Sequence, residues 1–194
     1  MLKKVMFCVA ILMCSIFAKA QTVDSAAVFD SYLDLNMAMF EGNTDNAERV
    51  AEQIMADTAA LPPKARINYY NILGKLYEER QPAEAKVYYE RVVAHVPNFY
   101  VAHLALGYIY VKEAEDNEKK VKANSTTDTR WAHIATVKKA IAHLEKAQAC
   151  DPNEDTMNTI TSLYKKMNDA AGLAGVKASL GALSKNCVDL LETQ

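Results

Sequence analysis

Residues 70–77 read Tyr-Asn-Ile-Leu-Gly-Lys-Leu-Tyr, and residues 103–110 read His-Leu-Ala-Leu-Gly-Tyr-Ile-Tyr. Laid over each other, they put Leu73 on Leu106, Gly74 on Gly107 and Tyr77 on Tyr110. The apolar positions fall three and four apart, which is the period of a helix and not the alternation of a strand. A glycine inside a helix costs about 1 kcal/mol relative to alanine. Its return at the same register implies a second helix crossing too closely to admit a side chain. Met157, Ile160, Thr161 and Tyr164 form a degraded further copy.

Working outward, a second pattern accompanies the first: an alanine, a large apolar residue four later and a proline eight after that. It occurs as Ala51, Met55, Pro63, as Ala85, Tyr89, Pro97 and as Ala140, Leu144, Pro152. The first two instances are one period apart, and the third follows after a period plus an insertion. Ala85 and Ala140 are then small contacts on a second helix, while Tyr77, Tyr89, Tyr110 and Leu144 fill the space around them. Each proline stops the second helix and turns the chain into the next unit. A lone helical hairpin cannot bury its apolar face, so copies must stack.

Tyr70, Leu73, Gly74, Tyr77, Ala85, Tyr89 and Pro97 resemble a tetratricopeptide repeat (TPR), and so do His103, Leu106, Gly107, Tyr110, Ala140, Leu144, Ala147 and Pro152. The resemblance spans residues 45–168 and weakens at both ends. It implies an all-α fold, a short right-handed α-solenoid of about four antiparallel hairpins. Helices are expected at 25–41, 46–60, 64–79, 82–95, 99–114, 131–150, 154–168 and 172–192. Gly42 reads as a helix stop, and Asp45 with Glu48 as a capping box. Between Tyr110 and Ala140 the spacing departs from the family. Residues 112–130 hold ten charged residues among nineteen, the first half continuing the preceding helix and Asn124-Ser125-Thr126-Thr127 forming a loop. Trp131 is expected to open the next helix, either as the anchor of a partner-contacting arm or as a cover for the hairpin beneath.

The 194 residues are 51% hydrophobic and 24% charged, with five Pro and six Gly, a composition of folded and not low-complexity chains. Lys3 and Lys4 precede an apolar run at 5–17, and Ala18-Lys19-Ala20 offers small residues where a signal peptidase cuts. Residues 1–20 therefore read as a cleaved signal peptide and 21–194 as the repeat domain, delivered to the periplasm or secreted. At roughly 20 Å as a helix the run is short of a bilayer core, so stable membrane insertion is not expected; a retained anchor on an assembly subunit is the alternative. Removing Lys3, Lys4 and Lys19 from 22 basic residues against 24 acidic leaves a net charge of about −5. That balance argues against a nucleic-acid partner. Cys150 and Cys187 remain, either as a disulfide or as two inert thiols.

No pair among His95, His103, His133 and His143 has the helical spacing of a metal site, and no glycine loop or nucleophile motif is present. The expectation is a non-catalytic protein with no cofactor and no metal. A helical scaffold for ligand binding or catalysis is the alternative. The TPR resemblance implies that the first helix of each hairpin lines a concave face where peptides bind. On it fall Asn68, Asn71 and Lys75 in one unit and Tyr108 and Lys112 in the next. Amide, ammonium and aromatic groups suit a peptide or helix of another envelope or secreted protein, and self-association through the two solenoid ends is a further possibility.

Overall fold

The computed structural model describes residues 23–192, so the expected signal at 1–20 lies outside the described residues. Among these are eight helices: α1 (Ser25–Phe40), α2 (Thr44–Met55), α3 (Pro63–Tyr77), α4 (Pro82–His95), α5 (Tyr100–Ala123), α6 (Thr127–Cys150), α7 (Glu154–Lys166) and α8 (Ala170–Leu183). They pair as α1/α2, α3/α4, α5/α6 and α7/α8. The fold is the expected right-handed, TPR-like solenoid of four antiparallel hairpins. None of the described helices is long and apolar enough to cross a membrane.

The repeated glycines do what their spacing requires. A Cβ on Gly74 would lie 2.7 Å from the Tyr89 ring, and one on Gly107 would run into the Leu144 side chain. Tyr89 and Leu144 are themselves 1% and 0% exposed. The alanines that introduce them, Ala85 and Ala140, are fully buried. Gly42 ends the first hairpin's leading helix at a φ of 69°, in the left-handed region that glycine enters without penalty.

Three details differ from the sequence expectation. Asn43, not Asp45, caps α2, its side chain accepting from the Asn46 amide at 3.2 Å. The capping box in this chain is Thr126 with Thr129 at the start of α6. The insertion continues the preceding helix, as its first half implied, and extends both flanking helices beyond the expected 99–114 and 131–150. α5 and α6 each run 24 residues, roughly 36 Å at 1.5 Å per residue, and only 124–126 join them. Pairs three and four apart, Lys119 with Asp116 and Lys122 with Glu118, stitch the added turns. Asn117 Nδ2 donates to Thr136 Oγ1 at 3.1 Å and ties the two helices together. Trp131 consequently lies inside α6, and at 65% exposed it does not cover the hairpin below.

α8 is shorter than expected. It stops at Leu183, a 3-10 turn over Ser184–Asn186 follows, and the chain then runs extended. Cys150, the last residue of α6, is disulfide-bonded to Cys187. Buried side chains form two clusters, one from α1 to α3 and one from α4 to α8, with half-buried Tyr70 and Tyr77 against both.

Candidate functional site

The residues expected on the concave wall divide. Asn68 is half-buried and its amide is already used: Nδ2 donates to the Tyr32 hydroxyl at 2.8 Å and to Asn36 Oδ1 at 3.1 Å, joining α3 to α1. Asn71 is 7% exposed, a correction to its expected place on the peptide-facing surface. The cause is that α3 is flanked by α1, α2 and α4 at once, which leaves it few outward positions. Its Oδ1 has no hydrogen-bond partner. Lys75 is exposed on the same helix. Lys112 opens onto a depression between α4 and α5 shared with Pro82, Lys86 and Asp116.

Tyr108 is in a different place and in better company. With Leu104 and Tyr100, one and two turns back on α5, it makes the aromatic wall of a groove of about 280 Å³ between α5 and α7. Opposite stand Asp151, Asn153, Asp155 and Thr156 from the turn into α7. The Tyr108 hydroxyl lies 3.2 Å from Thr156 Oγ1. The rim is held rigidly. Asn153 Oδ1 accepts from the amides of Asp155 and Thr156 at 2.9 and 3.1 Å, and its own amide donates to Gln148 Oε1 at 3.0 Å. The structure thus brings Tyr108 together with an acidic rim, and not with Asn68, Asn71, Lys75 or Lys112.

Sequence reasoning missed that rim. Leu104 and Tyr108 were legible at a spacing of four, but Asp151 and Asp155 are some fifty residues further on and only stacking brings them across. Neither aspartate takes part in any ion pair formed among the described residues. A groove with two free carboxylates over tyrosine rings suits a cationic side chain, since ammonium and guanidinium groups bind both carboxylates and aromatic faces.

The histidines also find each other. His103 Nδ1 and His143 Nδ1 are 2.9 Å apart, and His103 Nε2 is 3.1 Å from the Pro97 carbonyl. A carbonyl only accepts, so His103 carries its proton on Nε2 and accepts on Nδ1 from His143 Nδ1–H. Burial, and then the neighbouring His103, holds the His143 imidazole down at about 4. Among the described residues no three of His, Cys, Asp and Glu converge as a metal site.

No protein-family model matches the chain, and no curated protein matches it. Among solved structures, the chain is similar to a monomeric mutant of IFIT1 with Gppp-AAAA, at a TM-score of 0.54 and 15% identity. The match covers 80% of this chain and 33% of that one, so the chain spans about a third of IFIT1's length. The likeness is one of fold: a stack of helical hairpins.

Proposed function

We propose that this chain is an exported, non-catalytic TPR-like module that binds another envelope or secreted protein. The occupant is an extended segment carrying lysine or arginine, docked between α5 and α7. The observation that carries this reading is the groove's pairing of an aromatic wall, Tyr100, Leu104 and Tyr108, with the free carboxylates of Asp151 and Asp155. The aromatic wall and the two carboxylates are groups that bind a cationic side chain directly. The overall negative charge favours a basic polypeptide over a nucleic acid. Export is supported by the signal-like residues 1–20 and by the Cys150–Cys187 disulfide, a bond that persists in oxidising compartments. Exposed Trp131 on the long α5/α6 pair offers the same partner a second contact.

The test is photocrosslinking in the native cell from a probe at Tyr108, with a control probe at Arg49 on α2. One protein captured from Tyr108 alone, and lost at least fivefold on Asp155→Lys, is the expected result. Capture that falls with Lys75→Glu but is indifferent to Asp155→Lys would move docking to α3 and end this reading.

A further inference from the structure

The segment after Cys187 lies on the body of the solenoid as a bound peptide would. Lys146 Nζ, on α6, donates to the carbonyls of Leu183 and Asn186, each at 3.0 Å, and fixes the turn that precedes it. Beyond the disulfide the chain is extended and pairs in parallel with the stretch leading into α5. Val188 N–H donates to the Asn98 carbonyl at 2.9 Å, and Tyr100 N–H donates to the Val188 carbonyl at 3.2 Å. The Tyr100 amide is one of the donors that every helix start leaves without an internal partner. Phe99, the N-cap of α5, has no side-chain oxygen to offer it. Further along, half-buried Leu191 packs against the core, and the Glu192 carboxylate meets Lys64 Nζ at 2.6 Å.

The fit is incomplete. A cavity of about 330 Å³ remains between the tail and Lys64, Ile67 and Val96, and Leu190 is 78% exposed. The polar half of the hold is two main-chain hydrogen bonds, which any extended segment can reproduce, and one ion pair whose side chains are 52% and 77% exposed. Such a surface pair adds little. Beside the apolar contacts of Val188 and Leu191, the disulfide at its root shortens the tether of the tail and so raises its effective concentration at this surface. The recognition elements are those of strand addition: main-chain bonding for affinity and side-chain pockets for specificity.

We propose that the surface of residues 98–100, Ile67, Val96 and Lys64 is a docking groove for a partner's extended segment, aliphatic residues followed by a carboxylate, which replaces the chain's own tail at 188–192. The tail itself states the chemistry of the occupant, and the unfilled volume beside it is room for a bulkier side chain than Leu191. This groove adjoins the one beside Tyr108 at Tyr100, whose side chain lines that groove while its main-chain amide bonds the tail here, and it takes a segment of opposite charge.

The experiment uses the full-length, disulfide-intact protein, labelled with 15N, and the acetylated, amidated peptide Val-Asp-Leu-Leu-Glu as probe. In Leu191→Asp the tail loses its apolar anchor. The probe is expected to shift the amide signals of residues 64–67 and 98–100 with at least tenfold tighter binding than to the wild type. Adding Lys64→Glu is expected to weaken that binding at least fivefold. Equal or absent binding to Leu191→Asp overturns the proposal. So does a melting temperature lowered by more than 10 °C in that variant, because the tail is then part of the fold, and so does a shift to dimers, because the groove then takes the tail of a second copy.

Discussion

The junction between the first and second hairpins and the junction between the second and third occupy the same register of the repeat, yet they are bonded differently. At the later one, Tyr110 donates to Glu90 Oε1 at 2.5 Å, and the following junction repeats the bond with Tyr164 and Glu145 at 2.7 Å. Glu90 and Glu145 each stand directly after the large residue of the alanine pattern, Tyr89 and Leu144. At the first junction that place belongs to Ala56, and Tyr77 packs instead against Tyr88, with ring centres 5.8 Å apart. The buried side of the first junction is bonded by neutral groups, Asn68 with Tyr32 and Asn36 and the Tyr69 hydroxyl donating to the Ala51 carbonyl at 2.7 Å, with an Arg80–Glu48 ion pair at its edge. A single repeat plan therefore supports a first junction whose buried hydrogen bonds are neutral and later junctions bonded through tyrosine–carboxylate pairs, with a histidine pair and a disulfide in the C-terminal half. The disulfide and the buried histidine pair, which tie the fold to redox conditions and to mild acid, both lie in the second half.

The largest expected contrast is at the apolar position itself. Leu144 is 0% exposed and lies over Gly107, which has no side chain with which to fill a gap. Leu144→Ala is expected to cost about 3–5 kcal/mol. Its counterpart Met55 is 41% exposed, so Met55→Ala is expected to cost less than about 1 kcal/mol. Urea titrations of both variants test this, and equal losses would mean that the two halves are built alike. Next in size is the disulfide. It closes a separation of 37 residues, for which the chain-entropy relation gives about 3–4 kcal/mol. In Cys150→Ser with Cys187→Ser, hydrogen exchange is expected to accelerate in α6 to α8 and remain unchanged in α1 to α3.

These contrasts mark what the sequence made legible. The hairpins, their glycine contacts and Leu144 were readable because each rests on spacings within one helix or one repeat. Asn71 was misplaced because its surroundings are set by three other helices, and a single helix's periodicity cannot count them. The His103–His143 contact joins residues forty apart in the chain, and the acidic rim beside Tyr108 joins others about as far. The charged first half of 112–130 was legible as a continuation of the helix before it, its oppositely charged pairs three and four apart favouring that, and the loop expected at 124–127 narrows to 124–126. The tail at 188–192 gave no local signal, because main-chain pairing leaves no trace in residue type.

The pH dependence follows from the histidine pair. His143 is held at about 4 by burial first and His103 second, with Lys139 adding and Glu90 opposing. His103 is lowered too, by burial first and then by Lys146, against the Pro97 carbonyl. The unfolded chain takes up these protons near 6.5, so the stability is complete above that pH and is lost as pH falls toward about 4. A loss on the order of 1–2 kcal/mol is expected, discounted for partial solvent contact. His143→Gln is expected to flatten the melting-temperature profile between those limits. An unchanged profile would place the acid sensitivity elsewhere.

The smallest effect is the sharpest test of the repeat itself. If the tyrosine–carboxylate bond belongs to the register, it should be removable at one junction and transferable to another. Glu90→Gln replaces a carboxylate acceptor by an amide and is expected to cost about 1 kcal/mol, since hydrogen bonds to charged groups are worth more than neutral ones. Ala56 is exposed at the end of α2, so a longer side chain there displaces nothing. Ala56→Glu is expected to gain up to about 1 kcal/mol by giving Tyr77 the acceptor that Tyr110 and Tyr164 already have. Tyr77→Phe in the same background should cancel the gain, while in the wild type it should cost little. A gain that survives Tyr77→Phe would come from the surface charge alone, and the bond would then belong to the later hairpins and not to the repeat.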